Sequence, residues 1–399
     1  MPRFEPFRGV RYDTTRAPIV DVTAPPYDVI SPADREALVL RHQDNVVQID
    51  LPDEADGPGR YTAADATFQQ WLASGVLRRD AEPSFYVYRM DYTDDRGRPA
   101  QTTGVLGALE LSRPDEGHIL PHEFTTPKAK SDRLDLLRAT AANLSPVWAL
   151  SLSEGLTTLC QVDEQPTVAL TDPDGVVHTL WRVADPERLA GIAAAVAATP
   201  VVIADGHHRY ETSLAYRDER RAADGEGGPA DLMLCFVVEL VDDQLTVRPI
   251  HRLLSGFAPD FDLEAALTDK FKLGDTVAVD DTILQRMDDA KSLALVRGDG
   301  TARLVKPRKK AFADVDDLDS SRLAAALVDL PDHEVTYQHG VDNIANAVGS
   351  GAAQYGVLLR PATVAQIQTN AHTGNRMPPK TTFFHPKLRT GLVFRTLEG

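Results

Sequence analysis

Val201-Val202-Ile203-Ala204-Asp205-Gly206-His207-His208-Arg209-Tyr210-Glu211 is the stretch on which the reading of this chain turns. An apolar run leads into Asp-Gly, and Tyr210 to Arg221 continues with the spacing of a helix. That order is a strand–turn–helix unit. The first turn of a helix carries N–H groups without intrahelical acceptors and a partial positive charge, so it favours anions. Two histidines and an arginine occupy that turn here. A guanidinium offers a planar fork of donors to phosphate oxygens, and imidazole donates or titrates near neutral pH. The pattern reads as a phosphate grip. Two plainer readings stand beside it. Asp-Gly can be only a turn and a helix cap, and His207 with His208 can ligate a metal, although adjacent ligands without a further cluster make a weak metal signature. No metal ligands are assigned.

Composition narrows the function classes. The chain has 399 residues, 43% hydrophobic and 25% charged, as expected of a globular protein with a large core. Its 42 basic and 59 acidic residues give a net charge of −17, which repels a polyanion such as nucleic acid. The longest basic run, Pro307-Arg308-Lys309-Lys310, is too short to reverse that. Cys160 and Cys235 are too few for a disulfide framework or a zinc site. No run approaches the roughly 20 apolar residues of a membrane span, and the first residues lack a secretion-signal pattern. The expectation is a reduced, cytoplasmic protein with neither a nucleic-acid nor a membrane partner. A homodimer is left open.

Outward from the central stretch, three regions are expected, at 1–150, 151–258 and 259–399. In the first, Ile19 to Val22 and Val46 to Leu51 read as short strands. Ala24-Pro25-Pro26-Tyr27-Asp28-Val29-Ile30 is stiffened by its prolines and either aims Tyr27 and Asp28 into a cleft or crosses the surface. Ser31-Pro32 opens a helix, Tyr61 to Gly75 is another, and Ser84–Tyr92 with Gln101–Leu111 is a hairpin. His122-Glu123-Phe124-Thr125-Thr126-Pro127-Lys128-Ala129-Lys130-Ser131-Asp132-Arg133 packs acids, bases and hydroxyls together, ahead of a helix over Asp132–Ala142. Only ten of the 42 basic residues are lysines, so Lys128 and Lys130 stand out. The stretch reads as a catalytic loop or as a salt-bridged helix start.

In the second region, strands at Val168–Leu170 and Val176–Val183 precede a helix at Glu187–Ala198 and the grip. Asp231–Leu240 and Leu245–Ile250 read as a hairpin that delivers His251-Arg252 to a loop. In the third, helices are expected at Asp262–Leu273, Asp281–Ala290, Ser320–Val328, Gln338–Val348 and Thr363–Ala371, with strands at Ser292–Arg297 and Tyr355–Arg360. The segment from Arg376 to Lys387 is too hydrophobic for a disordered tail and carries two more of the scarce lysines, Lys380 and Lys387; it is expected to fold back over the cleft or to dock as a terminal strand.

Asp205-Gly206-His207-His208-Arg209 resembles the D-G-H-H-R motif of archaeal free-serine kinases, members of the ParB/sulfiredoxin superfamily. The whole chain resembles the DUF1015 family through Ala24–Ile30, His122–Thr125, Ile203–Glu211 and Met377–Phe384. The resemblance implies an α+β fold: mixed sheets, a ParB/sulfiredoxin-like strand–turn–helix phosphate-binding module in 151–258, and further α/β subdomains. It also implies a nucleotide-dependent phosphotransferase acting on a small hydroxyl metabolite, with L-serine as acceptor and O-phosphoserine as product. Phosphoryl transfer needs a phosphate cradle, a divalent cation and a carboxylate for the acceptor's proton. The cradle is assigned to Asp205, Gly206, His207, His208 and Arg209, with Lys380. Glu123 is the expected base or metal ligand, with Asp28 and Asp205 behind it, and His208 and Lys128 complete the catalytic set. ATP or ADP is the expected donor, with Mg2+, which needs only one or two protein carboxylates. The alternatives are a CTP- or ATP-binding switch that does not turn over, and a metal-assisted phosphoester hydrolase.

Overall fold

The structure is a computed structural model that describes residues 1–95, 97–121, 130–225, 227–373 and 376–397. The chain forms two compact units, Met1–Thr246 with Pro386–Gly399, and Val247–His385.

The first unit is built on a nine-stranded mixed sheet. Its strands are β1 (Phe4–Glu5), β2 (Phe85–Thr93), β3 (Pro99–Glu110), β4 (Ile119–Pro121), β5 (Val147–Ser151), β6 (Val168–Thr171), β7 (Val177–Val183), β8 (Val201–Asp205) and β9 (Leu232–Glu239). They lie in the order β4-β8-β5-β9-β3-β2-β7-β6, with β1 paired to β3. The β4–β8 and β5–β9 pairs are parallel and the others antiparallel. β2 and β3 are the expected hairpin. Val87, Val105, Val147, Ala149, Val201, Ile203 and Val237 share one apolar cluster, which Ile192 and Val196 of helix α3 (Pro186–Ala197) help to close. Each fully buried side chain of this size contributes about 1.5–3 kcal/mol.

Several helices start and stop where the sequence places them. Ser31 caps Pro32–Arg41 through a capping box with Asp34. Helix α1 (Arg60–Ser74) ends on Gly75 at φ 76°, the left-handed position that glycine reaches at low cost. Helix α2 (Lys130–Thr140) packs against α1 and against α4 (His207–Asp224).

Two expected strands are helical instead. Ile19–Val22 and Val47–Asp50 are single helical turns. Their β-branched residues mimic strands, but the Asn45 side chain accepts from the Val47 N–H and donates to the Asp21 carbonyl, which turns the chain. Tertiary burial overrides propensity here. The hairpin read at Asp231–Ile250 is also corrected, because β9 pairs with β3 and β5. Gln244 accepts from the Thr103 N–H, which draws the connection onto β3, and Thr246–Pro249 pairs with Thr382–His385.

The second unit carries a six-stranded antiparallel sheet made of β10 (His251–Ser255), β11 (Phe271–Ala278), β12 (Leu293–Val296), β13 (Thr301–Pro307), β14 (Glu334–Gln338) and β15 (Tyr355–Leu358). The order is β11-β13-β12-β15-β10-β14. The helix expected at Asp262–Leu273 covers only Leu263–Ala266, because Phe271 onward pairs with β13 as a strand. The helix expected at Gln338–Val348 begins at Val341, after Gly340 at φ 78° has ended β14. His251 and Arg252 lie inside β10, both buried, and not in a loop.

Residues 386–397 are woven into the first unit. Thr390 bridges to Ala24, Phe394 to Val10, and Arg395–Thr396 pairs with Ala142–Asn143.

Candidate active site

β8 runs antiparallel to β5 with Val201, Val202 and Ile203 opposite Ser151, Leu150 and Ala149, and then slips so that Asp205 faces Trp148. Two residues now span one step of the partner strand, which is a bulge at Ala204. Without it Asp205 would follow Val201 and Ile203 into the apolar cluster. With it the carboxylate turns to the opposite face of the sheet, the face of Trp148. Gly206 follows at φ 86°, and α4 begins at His207 with no side-chain cap. The 18-residue helix is anchored behind the turn. Tyr210 OH donates to the Ser112 carbonyl at 2.8 Å and accepts from the Ser112 N–H at 3.0 Å, while Arg217 Nη1 donates to the Leu111 carbonyl at 2.7 Å.

Asp205 gathers the charges of the site. Lys387 Nζ donates to its Oδ1 at 3.0 Å and Arg209 Nη2 to its Oδ2 at 3.1 Å. Burial alone would push this carboxyl up. The Lys387 and Arg209 cations outweigh burial and hold it well below the usual carboxylate range. Arg209 is raised: burial is the largest single influence and works against the charge, and Asp205, Tyr27, Asp28 and Asp50 together outweigh it. Arg209 Nη1 also donates to the Pro146 carbonyl, and its side chain is only 11% exposed. The guanidinium therefore folds back beneath the turn and braces it, with less of its fork turned outward than a solvent-facing grip would show.

A second buried cation lies beside the first. Arg133 Nη1 donates to the Asp50 carbonyl at 2.7 Å and contacts Asp50 Oδ1 at 3.4 Å, and its Nε donates to Asp132 Oδ2 at 3.1 Å. Its Nη2 is buried with no hydrogen-bond partner among the described residues. Burial raises the Asp50 carboxyl, and Arg133 and Arg209 pull against that rise. Arg133 stands 4.2 Å from the Tyr27 ring centroid and Arg209 6.0 Å from it, so one aromatic ring serves both guanidinium groups. Asp50, Arg133, Ser145 and Arg209 border a cavity of about 50 Å³. That space suits one or two waters and not a nucleotide.

The sequence-predicted residues distribute as follows. Asp205, Gly206, His207, His208 and Arg209 share the turn, with both histidines half-buried. Asp28 is exposed on the turn Tyr27–Val29, within electrostatic reach of Arg209. Glu123 and Lys128 lie outside the described residues. Lys380 belongs to the second unit and adopts φ 56°, a left-handed conformation after two prolines. Among the described residues, no group of three or more His, Cys, Asp or Glu is placed to hold a metal ion, and no helix is long and apolar enough to cross a membrane. Sequence reasoning missed Asp50, which nothing local marks; the scarcity of lysine pointed to the segment that holds Lys380 and Lys387, and the residue assigned from it was Lys380, whereas Lys387 is the one that reaches Asp205.

Comparison with known proteins adds a family. No curated protein matches the sequence. Among solved structures, the chain is similar to a free serine kinase in complex with AMP, at 12% identity and a TM-score of 0.38, over 72% of this chain and 92% of that one. It is similar to a conserved hypothetical protein from Pyrococcus furiosus at 12% identity and a TM-score of 0.37, covering 72% and 95% of the two chains. It is also similar to a C-terminally truncated SbnI from Staphylococcus aureus at 12% identity and a TM-score of 0.38, covering 73% and 87%. The family described as "Protein of unknown function (DUF1015)" matches residues 4–321, most of the sequence, and the chain belongs to that family.

Proposed function

We propose that the turn at Gly206 binds the phosphates of a nucleotide and that the protein transfers a phosphoryl group to the hydroxyl of a small metabolite, with free L-serine as the acceptor. One observation carries the reading. An 18-residue helix begins on a bare glycine, and the carboxylate just before it gathers Lys387 and Arg209 to that end. A helix N-terminus flanked by fixed cations is suited to phosphate oxygens. In this scheme the backbone N–H groups of the first turn hold the phosphoryl oxygens, and His207 and His208 are within the same turn to donate to them. Arg209 is the positioning residue that fixes Gly206 and Asp205 from beneath. Asp205 orients the two cations and does not itself touch the phosphate.

Both oxygens of Asp205 are taken by Lys387 and Arg209, so Asp205 does not suit a metal. Asp28 is exposed and fits a Mg2+ that arrives on the nucleotide's own phosphates. There the ion would neutralise charge on the phosphates. Glu123 is the proposed acceptor of the serine hydroxyl's proton, and Lys128 and His208 are proposed to stabilise the transferring group. The balanced step is serine hydroxyl plus ATP giving O-phosphoserine, ADP and the proton that Glu123 receives. With ADP as donor the second product is AMP. The choice of serine rests on the likeness of Asp205–Arg209 to the free-serine kinase motif.

The test is nucleotide consumption with and without L-serine, read by chromatography together with O-phosphoserine. Serine-dependent ADP or AMP formation supports the proposal. Binding without turnover replaces it with a nucleotide switch, and phosphate release without an acceptor replaces it with a hydrolase.

A further inference from the structure

The second unit holds a pocket of about 570 Å³, within the size range of sites for small organic ligands. It opens where α5 (Ile283–Ala290) and β13 end and where α6 (Asp319–Leu327) and α7 (Val364–Thr373) begin. Two helix N-termini, each of a helix more than eight residues long, thus contribute their first turns to one wall.

The charge pattern of the lining is the informative feature. Lys291, Lys306 and Lys309 all line the pocket, three of the ten lysines in a chain whose net charge is −17. None of the three makes an ion pair or hydrogen bond through its side chain among the described residues. Two of the acidic residues of the wall are already paired with arginines of the same wall. Asp319 accepts from Arg360 at 2.9 and 2.7 Å and is nearly sealed from solvent, and Asp317 pairs with Arg322 at 2.6 Å. Asp288 lies close enough to be felt by Arg360. The Nε atom of Arg322 is buried without a hydrogen-bond partner among the described residues. A wall that collects unpaired ammonium groups and an unsatisfied guanidinium N–H repels itself until an anion enters. Phe312 and Leu359 give the same pocket an apolar side.

We infer that this pocket is a second ligand site, separate from the Gly206 turn, and that it takes a small organic phosphate carrying at least two negative charges. The lysines bind the phosphate oxygens as mobile point charges, the helix N-termini add their dipoles, and the apolar side receives the carbon skeleton. The inference stands on the second unit alone and does not depend on the function proposed for the first.

Inorganic pyrophosphate is the probe, with citrate as a polycarboxylate of similar charge, followed by calorimetric titration of the full chain. The Arg209→Ala protein is the background, since its damage is confined to the first unit. In that background pyrophosphate is expected to bind at one equivalent, to outcompete citrate at least tenfold, and to weaken as salt rises. Adding Lys291→Gln, Lys306→Gln and Lys309→Gln together is expected to weaken it by at least tenfold. All three side chains are exposed, so the fold should survive, and circular dichroism checks that. The single reversal Lys306→Glu gives an independent reading and should weaken binding several-fold. Affinity within about twofold after the triple change, absence of a pyrophosphate equivalent in the Arg209→Ala protein, or equal affinity for citrate each overturns the assignment.

Discussion

Replacing Gly206 by alanine separates two effects that the turn combines. The residue sits at φ 86°, and a Cβ there would lie 3.0 Å from Arg209 Nε and Nη2 and 3.1 Å from its Cζ. Backbone strain for a non-glycine residue in this region is about 1–2 kcal/mol. The contact adds a displacement. Relief to the usual separation of about 3.5 Å needs a movement of roughly 0.5 Å by the guanidinium. Nη2 stands 3.1 Å from Asp205, so a shift of that size is comparable to the margin left before the charge-assisted hydrogen bond is lost. Such a bond is worth about 1.5–3 kcal/mol. The sum is a destabilisation of about 2.5–5 kcal/mol, with nucleotide affinity reduced at least tenfold.

Gly75 supplies the control. It has φ 76°, and the nearest atoms to its hypothetical Cβ are those of Arg16 at 3.6 Å, an ordinary contact. Gly75→Ala should cost only the strain, about 1–2 kcal/mol, and leave nucleotide binding unchanged. Urea unfolding gives the stabilities, and titration of ATP and ADP gives the affinities. If both variants lose the same stability and both keep full nucleotide affinity, the turn at Gly206 is only a turn and the proposed cradle fails.

Three further outcomes are expected. Lys387→Met removes the partner of Asp205 Oδ1, so the acid limb of stability should move to higher pH. Asp205 is depressed in the folded state, so its contribution is present above the unfolded carboxylate range and is lost as pH falls through the folded value, and weakening its partner raises that value. An acid titration of unfolding that superimposes on the wild type contradicts this. His251 is pushed down to about 3 by burial, with Arg252 and His339 adding to the shift. Its stabilising contribution is complete above about pH 6.5 and declines by up to about 1.4 kcal/mol per pH unit between there and pH 3. A His251→Gln protein, though less stable throughout, should show a shallower fall between pH 6.5 and 5, and an unchanged slope rules the histidine out as its source. Tyr88 OH and His178 Nδ1 are 2.7 Å apart in the interior, so Tyr88→Phe should cost about 1–3 kcal/mol, which chemical denaturation will measure.

The sequence was most informative where local chemistry decides structure. Ser31-Pro32, Gly75 and the Asp205–Gly206 turn each satisfy a backbone requirement within a few residues, and each is found where it was read. The errors fall where distant partners decide. Ile19–Val22 looks extended until Asn45 claims the Asp21 carbonyl, and the pairing of β9 with β3 rather than with the segment after it is a choice among edges far apart in sequence. The site divides in the same way. The motif at Asp205–Arg209 is contiguous, but the bulge at Ala204, the inward fold of Arg209 and the arrival of Asp50 and Lys387 are long-range events. An arginine in a motif is legible as a donor, whereas the direction it faces is set by distant acceptors, here the Pro146 carbonyl.

The weaving of residues 386–397 into the first unit also has a bearing on how the protein is made. A ribosome delivers Met1–Thr246 first and must then emit some 139 residues of the second unit before Lys387 exists. Until that moment Asp205 has lost half its counter-charge and the bridges from Ala24 and Val10 have no mates. The nascent first unit therefore waits unfinished while its neighbour emerges, and maturation of the Gly206 turn is timed by the synthesis of residues 386–397.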